Sequence, residues 1–260
     1  MLVEAVEHAV PAAPDTSEPS LRNPLNPDGR VRAVLFDLDG TLYRQTPMRV
    51  LMALELAALA VRRPLQAPVS WRVLSEFRKA QEALRGQETG RGGAIEQLEL
   101  TARRTGMTVD QVEAIVTEWM MERPLKHLPR CRAEGLLPLL DFLSGRGIKM
   151  GVFSDYPPNL KLQALGIGGR FSVVLCSTDP AVGMFKPHPR GFHVASTRWQ
   201  VDPSEVLVVG DRPDADAAGA AAAGMPCVII GKRHPDNSSG FVSLHSLERL
   251  RDVLDDDHSR

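Results

Sequence analysis

An excess of positive charge is missing from this chain. Lys and Arg total 31 against 32 Asp and Glu, a formal net charge of -1. No overall field draws such a protein to nucleic acid, and any polyanion contact must be local. Cysteine is scarce too. Cys131, Cys176 and Cys227 match no zinc or redox spacing and are odd in number, which points to small buried residues in a reducing compartment. A long uninterrupted apolar run is also absent. Residues 51–61 contain Glu55 and residues 215–230 contain Asp216, so neither serves as a membrane span. The first ten residues lack a basic segment and carry Glu4 and Glu7, unlike a signal peptide. The expectation is a cytoplasmic protein with no nucleic-acid or membrane partner. With 43% hydrophobic and 24% charged residues in 260, the chain suits one large α/β domain or a core with a smaller insert.

Residues 1–30 are rich in Pro, Ala, Ser, Asn and Asp. Too little apolar surface is available there to offset ordering entropy, so the expectation is a disordered arm. Short β-rich apolar runs follow at 31–36, 148–153, 172–176, 206–210 and 226–230, and helical patterns separate the last four. Leu136, Leu137, Leu139, Leu140 and Leu143 form one apolar helical face; in another helical segment Leu160, Leu162 and Leu165 precede Gly166, which suits a C-terminal cap. Strands alternating with helices predict an α/β fold with a Rossmann-like parallel sheet covered on both faces. Residues 44–130 break the rhythm. They show helical stretches near 47–63, 70–84, 92–104 and 108–122, with Thr108 and Gln111 spaced for a capping box. That is too long for a simple crossover, and it predicts a small all-helical cap over the end of the first strand. The division expected is thus an arm over 1–30, a core over 31–43 and 131–250, a cap over 44–130 and an acidic tail over 251–260. Trp71, Trp119 and Met120 are assigned to the cap interior.

The segment AVLFDLDGTLY at 33–43 carries the strongest chemical signal. An apolar strand runs into Asp37 and Asp39, whose side chains share one side of extended backbone. They lie at the carboxyl end of a strand, where open α/β sheets bind ligands. Gly40 lets the backbone turn sharply and approach a ligand. Asp-Gly also marks hairpin turns, but no partner strand follows here. Two neighbouring carboxylates repel unless a cation intervenes, and Mg²⁺ is the natural occupant, a hard ion that keeps waters for a phosphate. VVGDRPDAD at 208–216 repeats the pattern of strand, Gly and Asp. Acidic residues at a helix N-terminus favour the dipole, but that compensation does not need the three aspartates Asp211, Asp214 and Asp216. Between these clusters, Ser154 ends a strand and can donate its hydroxyl to a phosphate oxygen. Lys186 sits beside the prolines that flank His188, stiffly placed to offset the aspartates and to meet a phosphate as a point charge.

In order and spacing, these residues resemble the haloacid dehalogenase superfamily of hydrolases. Its four motifs match Asp37-Leu38-Asp39-Gly40-Thr41-Leu42, then Ser154, then Lys186-Pro187, then Gly210-Asp211 with Asp216, across about residues 31–231. The resemblance implies a phosphatase acting on a small phosphorylated metabolite. Asp37 would be the nucleophile that forms an aspartyl-phosphate, and Asp39 the acid and then the base. Mg²⁺ would be held by Asp37, the carbonyl of Asp39 and Asp211, with Asp216 nearby. Ser154 and Lys186 would hold the phosphoryl group, joined by backbone at Gly40 and Asp155.

Two departures from the family pattern stand out. Asp155 replaces a common asparagine, and its carboxylate is expected to point away from phosphate. Arg44 replaces a common aspartate; it and Arg49, with Arg91, are candidates to read the remote end of an anionic substrate. His127, His188 and His193 have no metal-ligand spacing. A sugar-phosphate mutase shares all four motifs and remains an alternative, as does a non-catalytic binding protein of this fold. Dehalogenation is disfavoured by Asp39, and ion pumping by the lack of membrane spans. The residues do not fix an oligomeric state.

Overall fold

A computed structural model describes residues 21–24, 26–85, 93–231 and 240–255. Two strands precede the sheet. β1 (Leu21–Asn23) and β2 (Asn26–Val31) pair antiparallel, with Leu21 opposite Val31. This corrects the expected arm over 1–30. Leu21 and Val31 bury their side chains in the main core, and that burial offsets the entropy of ordering the segment. Residues 1–20 of the expected arm lie outside the described residues.

The main sheet contains β3 (Ala33–Phe36), β4 (Lys149–Ser154), β5 (Val173–Cys176), β6 (Val206–Gly210), β7 (Cys227–Ile230) and β8 (Val242–Leu244). Their order is β5-β4-β3-β6-β7-β8, and every neighbouring pair is parallel. Side chains alternate between two buried faces, as the period of a strand requires. Val34, Phe36, Leu207 and Val209 pack on one side; Ala33, Leu35, Val206 and Val208 pack on the other. β8 is a sixth strand that the sequence pattern did not reveal. It has three residues, none fully buried, so it carries almost no periodic signal.

Between β3 and β4 stand α1 (Gln45–Arg62), α2 (Gln66–Leu84), α3 (Gly93–Thr105) and α4 (Val109–Val116). The predicted capping box starts α4: the Gln111 amide donates to Thr108 Oγ1 at 3.3 Å and the Thr108 amide to Gln111 Oε1 at 3.1 Å. This insert has its own apolar centre of Val73, Phe77, Ala102, Val112 and Val116. Trp119 is buried, but Trp71 is 60% exposed, so its expected place in the cap interior is corrected. It projects from the face of α2 opposite Val73 and Phe77. The chain returns through π-helical and 3-10 turns and α5 (Leu128–Cys131). There the two connections meet: the Arg44 amide donates to the Cys131 carbonyl at 2.8 Å and the Ala133 amide to the Leu42 carbonyl at 3.1 Å.

α6 (Leu136–Gly145), α7 (Asn159–Ala164), α8 (Arg190–Trp199), α9 (Ala218–Ala222) and α10 (Leu247–Asp255) complete the core. α6, α7 and α10 pack on the Phe36 side; α8 and α9 pack on the Leu35 side. Within the expected tail, residues 251–255 belong to α10 and Leu254 is fully buried. An i, i+3, i+7 pattern of Leu247, Leu250 and Leu254 holds this helix against the sheet. Residues 256–260 lie outside the described residues. No helix among the described residues is long and apolar enough to cross a membrane.

Candidate active site

The chain leaves β3 toward β4 on one side and leaves β6 toward β7 on the other. A crevice therefore opens at the carboxyl ends of β3 and β6. The β3–β6 pairing runs one bond past the strand, since the Asp37 amide donates to the Val209 carbonyl at 2.8 Å. That bond fixes Asp37 at the sheet edge. Its Oδ2 accepts from Thr41 Oγ1 at 3.2 Å, and its Oδ1 accepts from Lys186 Nζ at 2.8 Å. Lys186 is buried and also donates to Asp216 Oδ1 at 2.8 Å. The other oxygen of Asp216 accepts the amides of Asp211 and Arg212 at 3.2 and 3.1 Å. Asp216 thus braces Lys186 and the loop that carries Asp211.

Carboxylate oxygens of Asp37, Asp211 and Asp216 lie within 4.8 Å of one another. Burial and mutual repulsion make this costly. Burial pushes Asp37 up to about 6, reinforced by the charges of Asp216 and Asp39 and opposed by Lys186. Burial, Asp37 and Asp216 push Asp211 up to about 8. Hard oxygen donors under such repulsion fit a divalent cation such as Mg²⁺. Two glycines make room for the cluster. A Cβ on Gly40, whose φ is +114°, would stand 2.0 Å from Asp211 Oδ2; a Cβ on Gly210 would stand 2.3 Å from the Asp216 carboxyl carbon. The close approach required of Gly40 is therefore first to a carboxylate of the chain itself.

Asp39 stands apart from that cluster. Its Oδ1 accepts from Lys161 Nζ at 2.6 Å and from the Tyr43 hydroxyl. Its carbonyl accepts from Gln45 Nε2 at 2.7 Å. Burial alone would raise the Asp39 carboxyl, but Lys161 and Tyr43 outweigh it and hold the group below the ordinary carboxylate range. Lys161 was not foreseen. The sequence reading named the leucines of this segment and passed over the lysine, whereas Leu160 is 54% exposed and Lys161 only 6%. A lysine seven residues after Ser154, between two leucines, was the available signal.

Ser154 is buried at the end of β4, and its Oγ accepts the Tyr156 amide at 3.3 Å. The Asp155 carboxylate turns away from Asp37, toward donors on α2, the loop after β5 and the backbone of Lys186. Arg44 and Arg49 are exposed. Arg49 donates to Gln45 Oε1, so it reaches the site only through Gln45, and no bond joins the Arg44 side chain to the aspartates. Arg91 lies outside the described residues. Tyr156 instead reaches the insert: its hydroxyl donates to Gln81 Oε1 at 2.8 Å and its ring stacks on Phe77 at 5.9 Å.

A family model described as haloacid dehalogenase-like hydrolase matches residues 31–224. A glyceraldehyde 3-phosphate phosphatase of Methanopyrus kandleri is 31% identical over 239 residues, covering 86% of this chain and 96% of its own. Among solved structures, a 2-haloacid dehalogenase from Pseudomonas syringae and a HAD phosphatase from Thermococcus onnurineus each superpose with a TM-score of 0.60. Each is 24% identical and covers 86% of this chain and 98% of its own. At that identity they establish the fold alone. The chain belongs to the haloacid dehalogenase-like hydrolase family, and it is a hydrolase.

Proposed function

We propose that this hydrolase is a Mg²⁺-dependent phosphatase that cleaves a small phosphorylated metabolite through an aspartyl-phosphate at Asp37. The observation that carries the reading is the Lys186 ammonium, 2.8 Å from both Asp37 and Asp216, beside three crowded carboxylates. A buried lysine and a divalent cation around one carboxylate suit a dianionic phosphoryl group, whose transfer depends on positioning and charge neutralisation. Asp37, Asp211 and the Asp39 carbonyl would hold Mg²⁺, with Asp216 behind them. When bound, the ion would offset the charge of nucleophile and phosphoryl group together.

In the proposed reaction, an oxygen of Asp37 attacks phosphorus and the ester P–O bond breaks. Lys161 and Tyr43 hold free Asp39 ionised; a bound phosphoryl dianion opposes them and lets Asp39 carry the proton that the leaving oxygen takes. A water then gives its proton to Asp39 and attacks phosphorus, which frees Asp37 and inorganic phosphate. Lys161 and Tyr43 both engage Oδ1 of Asp39, which leaves Oδ2 for the reacting oxygen. Ser154 and Lys186 steady the transferred group, with Gly40 and the Asp155 amide bordering it. The helical insert acts as a cap that limits substrate size, and the name of the Methanopyrus relative makes three-carbon phosphates the first compounds to test. Purified protein with Mg²⁺ should release inorganic phosphate from one or more members of a panel of small phosphate esters. Isomerised sugar phosphate without phosphate release would overturn the hydrolytic reading.

A further inference from the structure

We propose that Asp155 is a positioning residue whose two carboxylate oxygens divide between core and cap, tying the seat of Lys186 to cap closure. The inference rests on the phosphate-binding role proposed for Lys186.

On the core side, Oδ1 of Asp155 accepts from Ser177 Oγ at 2.8 Å and from the Lys186 amide at 3.1 Å. On the cap side, Oδ2 accepts from Gln81 Nε2 at 3.0 Å and pairs with Arg85 Nη1 at 2.9 Å. Gln81 belongs to the last turn of α2, and Arg85 follows its end. The same Nη1 of Arg85 donates to the Lys186 carbonyl at 2.7 Å. Both backbone polar groups of Lys186 are thus held, one by Asp155 and one by the cap residue that Asp155 pairs with. The ion pair is shielded, with side-chain exposures of 11% and 12%, where charge-assisted bonds outlast screening. An open cap removes Arg85 from the Lys186 carbonyl and loosens the residue that must meet the phosphoryl group.

The division of oxygens makes the inference testable. Asp155→Asn is isosteric. Its amide oxygen can keep the Ser177 and Lys186 donors, while its amide nitrogen, itself a donor, opposes Gln81 and Arg85. Asp155→Ala removes both sides. The full chain is assayed as wild type, D155N, R85Q, D155N/R85Q and D155A, with Mg²⁺ and p-nitrophenyl phosphate, and by backbone hydrogen exchange. D155N and R85Q should each lower kcat/KM by about tenfold and the double variant by no more than either, a coupling of about 1.4 kcal/mol. Exchange at the end of α2 should quicken in D155N and R85Q alike. The Lys186 amide should stay protected in D155N and lose protection in D155A. Losses that multiply in the double variant, wild-type rates in both single variants, or equal Lys186 exchange in D155N and D155A would each overturn the inference. If D155A does not fold, the D155N/R85Q cycle decides alone. If wild type cleaves no phosphate ester, the phosphatase reading fails, and exchange at the end of α2 still decides: quickened in both single variants it supports the tie, unchanged it overturns it.

Discussion

Divalent-cation binding should stabilise this protein far more at pH 8 than at pH 5. Burial and repulsion lift Asp37 to about 6 and Asp211 to about 8, from the ordinary aspartate value of 3.8. Each carboxyl therefore binds its proton more tightly folded than unfolded. Without metal, the folded chain holds more protons across roughly pH 4 to 8, so stability falls as pH rises through that window. Asp39, held low, acts with the opposite sign, and its contribution is lost only as pH falls below the ordinary carboxylate range. Between pH 5 and pH 8 about one unit of the Asp37 lift is lost, roughly 1.4 kcal/mol. Asp211 adds to this without full additivity, because the two share one repulsion. At about 2–4 °C per kcal/mol for a chain of this size, the metal-free protein should lose roughly 5–10 °C in Tm between pH 5 and pH 8. Thermal unfolding in EDTA and in excess Mg²⁺, at both pH values, measures it. Mg²⁺ should restore most of the loss at pH 8, and Asp211→Asn should shrink the loss to the part that burial of Asp37 causes and should weaken the rescue. An equal Mg²⁺-induced shift at both pH values, or an undiminished shift in D211N, would refute the reasoning.

Other consequences are as direct. Lys161→Met removes the ammonium that holds Asp39 low, so the acid limb of kcat should move to higher pH; an unmoved limb in the pH–rate profile would show that Lys161 does not govern Asp39. Gly40→Ala forces a Cβ to within 2.0 Å of Asp211 Oδ2 at a backbone angle that favours glycine. It should cut turnover by at least a hundredfold, about 2.7 kcal/mol, and weaken Mg²⁺ stabilisation in thermal unfolding; wild-type behaviour in both assays would count against the tight Gly40–Asp211 fit. Thr108→Ala removes the N-cap bond of α4 and should cost about 1 kcal/mol, seen as a fall of a few degrees in Tm with kcat unchanged.

Much of the fold was legible because strand and helix periods write themselves into sequence. The run 33–36 and Val206–Gly210 are apolar at every position since both faces of the sheet are buried. The Thr108–Gln111 spacing marked α4 for a mechanical reason, two reciprocal bonds. The aspartates and Lys186 were visible because polar residues end otherwise apolar strands, and the structure brings Asp37, Asp211, Asp216 and Lys186 together. What was hidden depends on tertiary contact. Lys161 drew no reading from the sequence, and only its ion pair with Asp39 explains its burial. The hairpin at 21–31 looked too polar to order until Leu21 and Val31 found the core. Asp155 and Arg85 lie seventy residues apart in sequence and make sense only as a pair. Arg44 and Arg49 were chosen because an anionic substrate needs cations, and that need does not say where the helix turns them.

The central claim, that Asp37 becomes phosphorylated, can be met by trapping. Protein turning over the best ester of the panel is quenched with borohydride, which reduces an acyl phosphate to an alcohol, and its peptides are mapped by mass spectrometry. The account predicts reduction at residue 37 that needs substrate and Mg²⁺ and is absent in Asp37→Asn, which should also lose turnover. Turnover retained by D37N, or reduction mapped to another carboxylate, would contradict it.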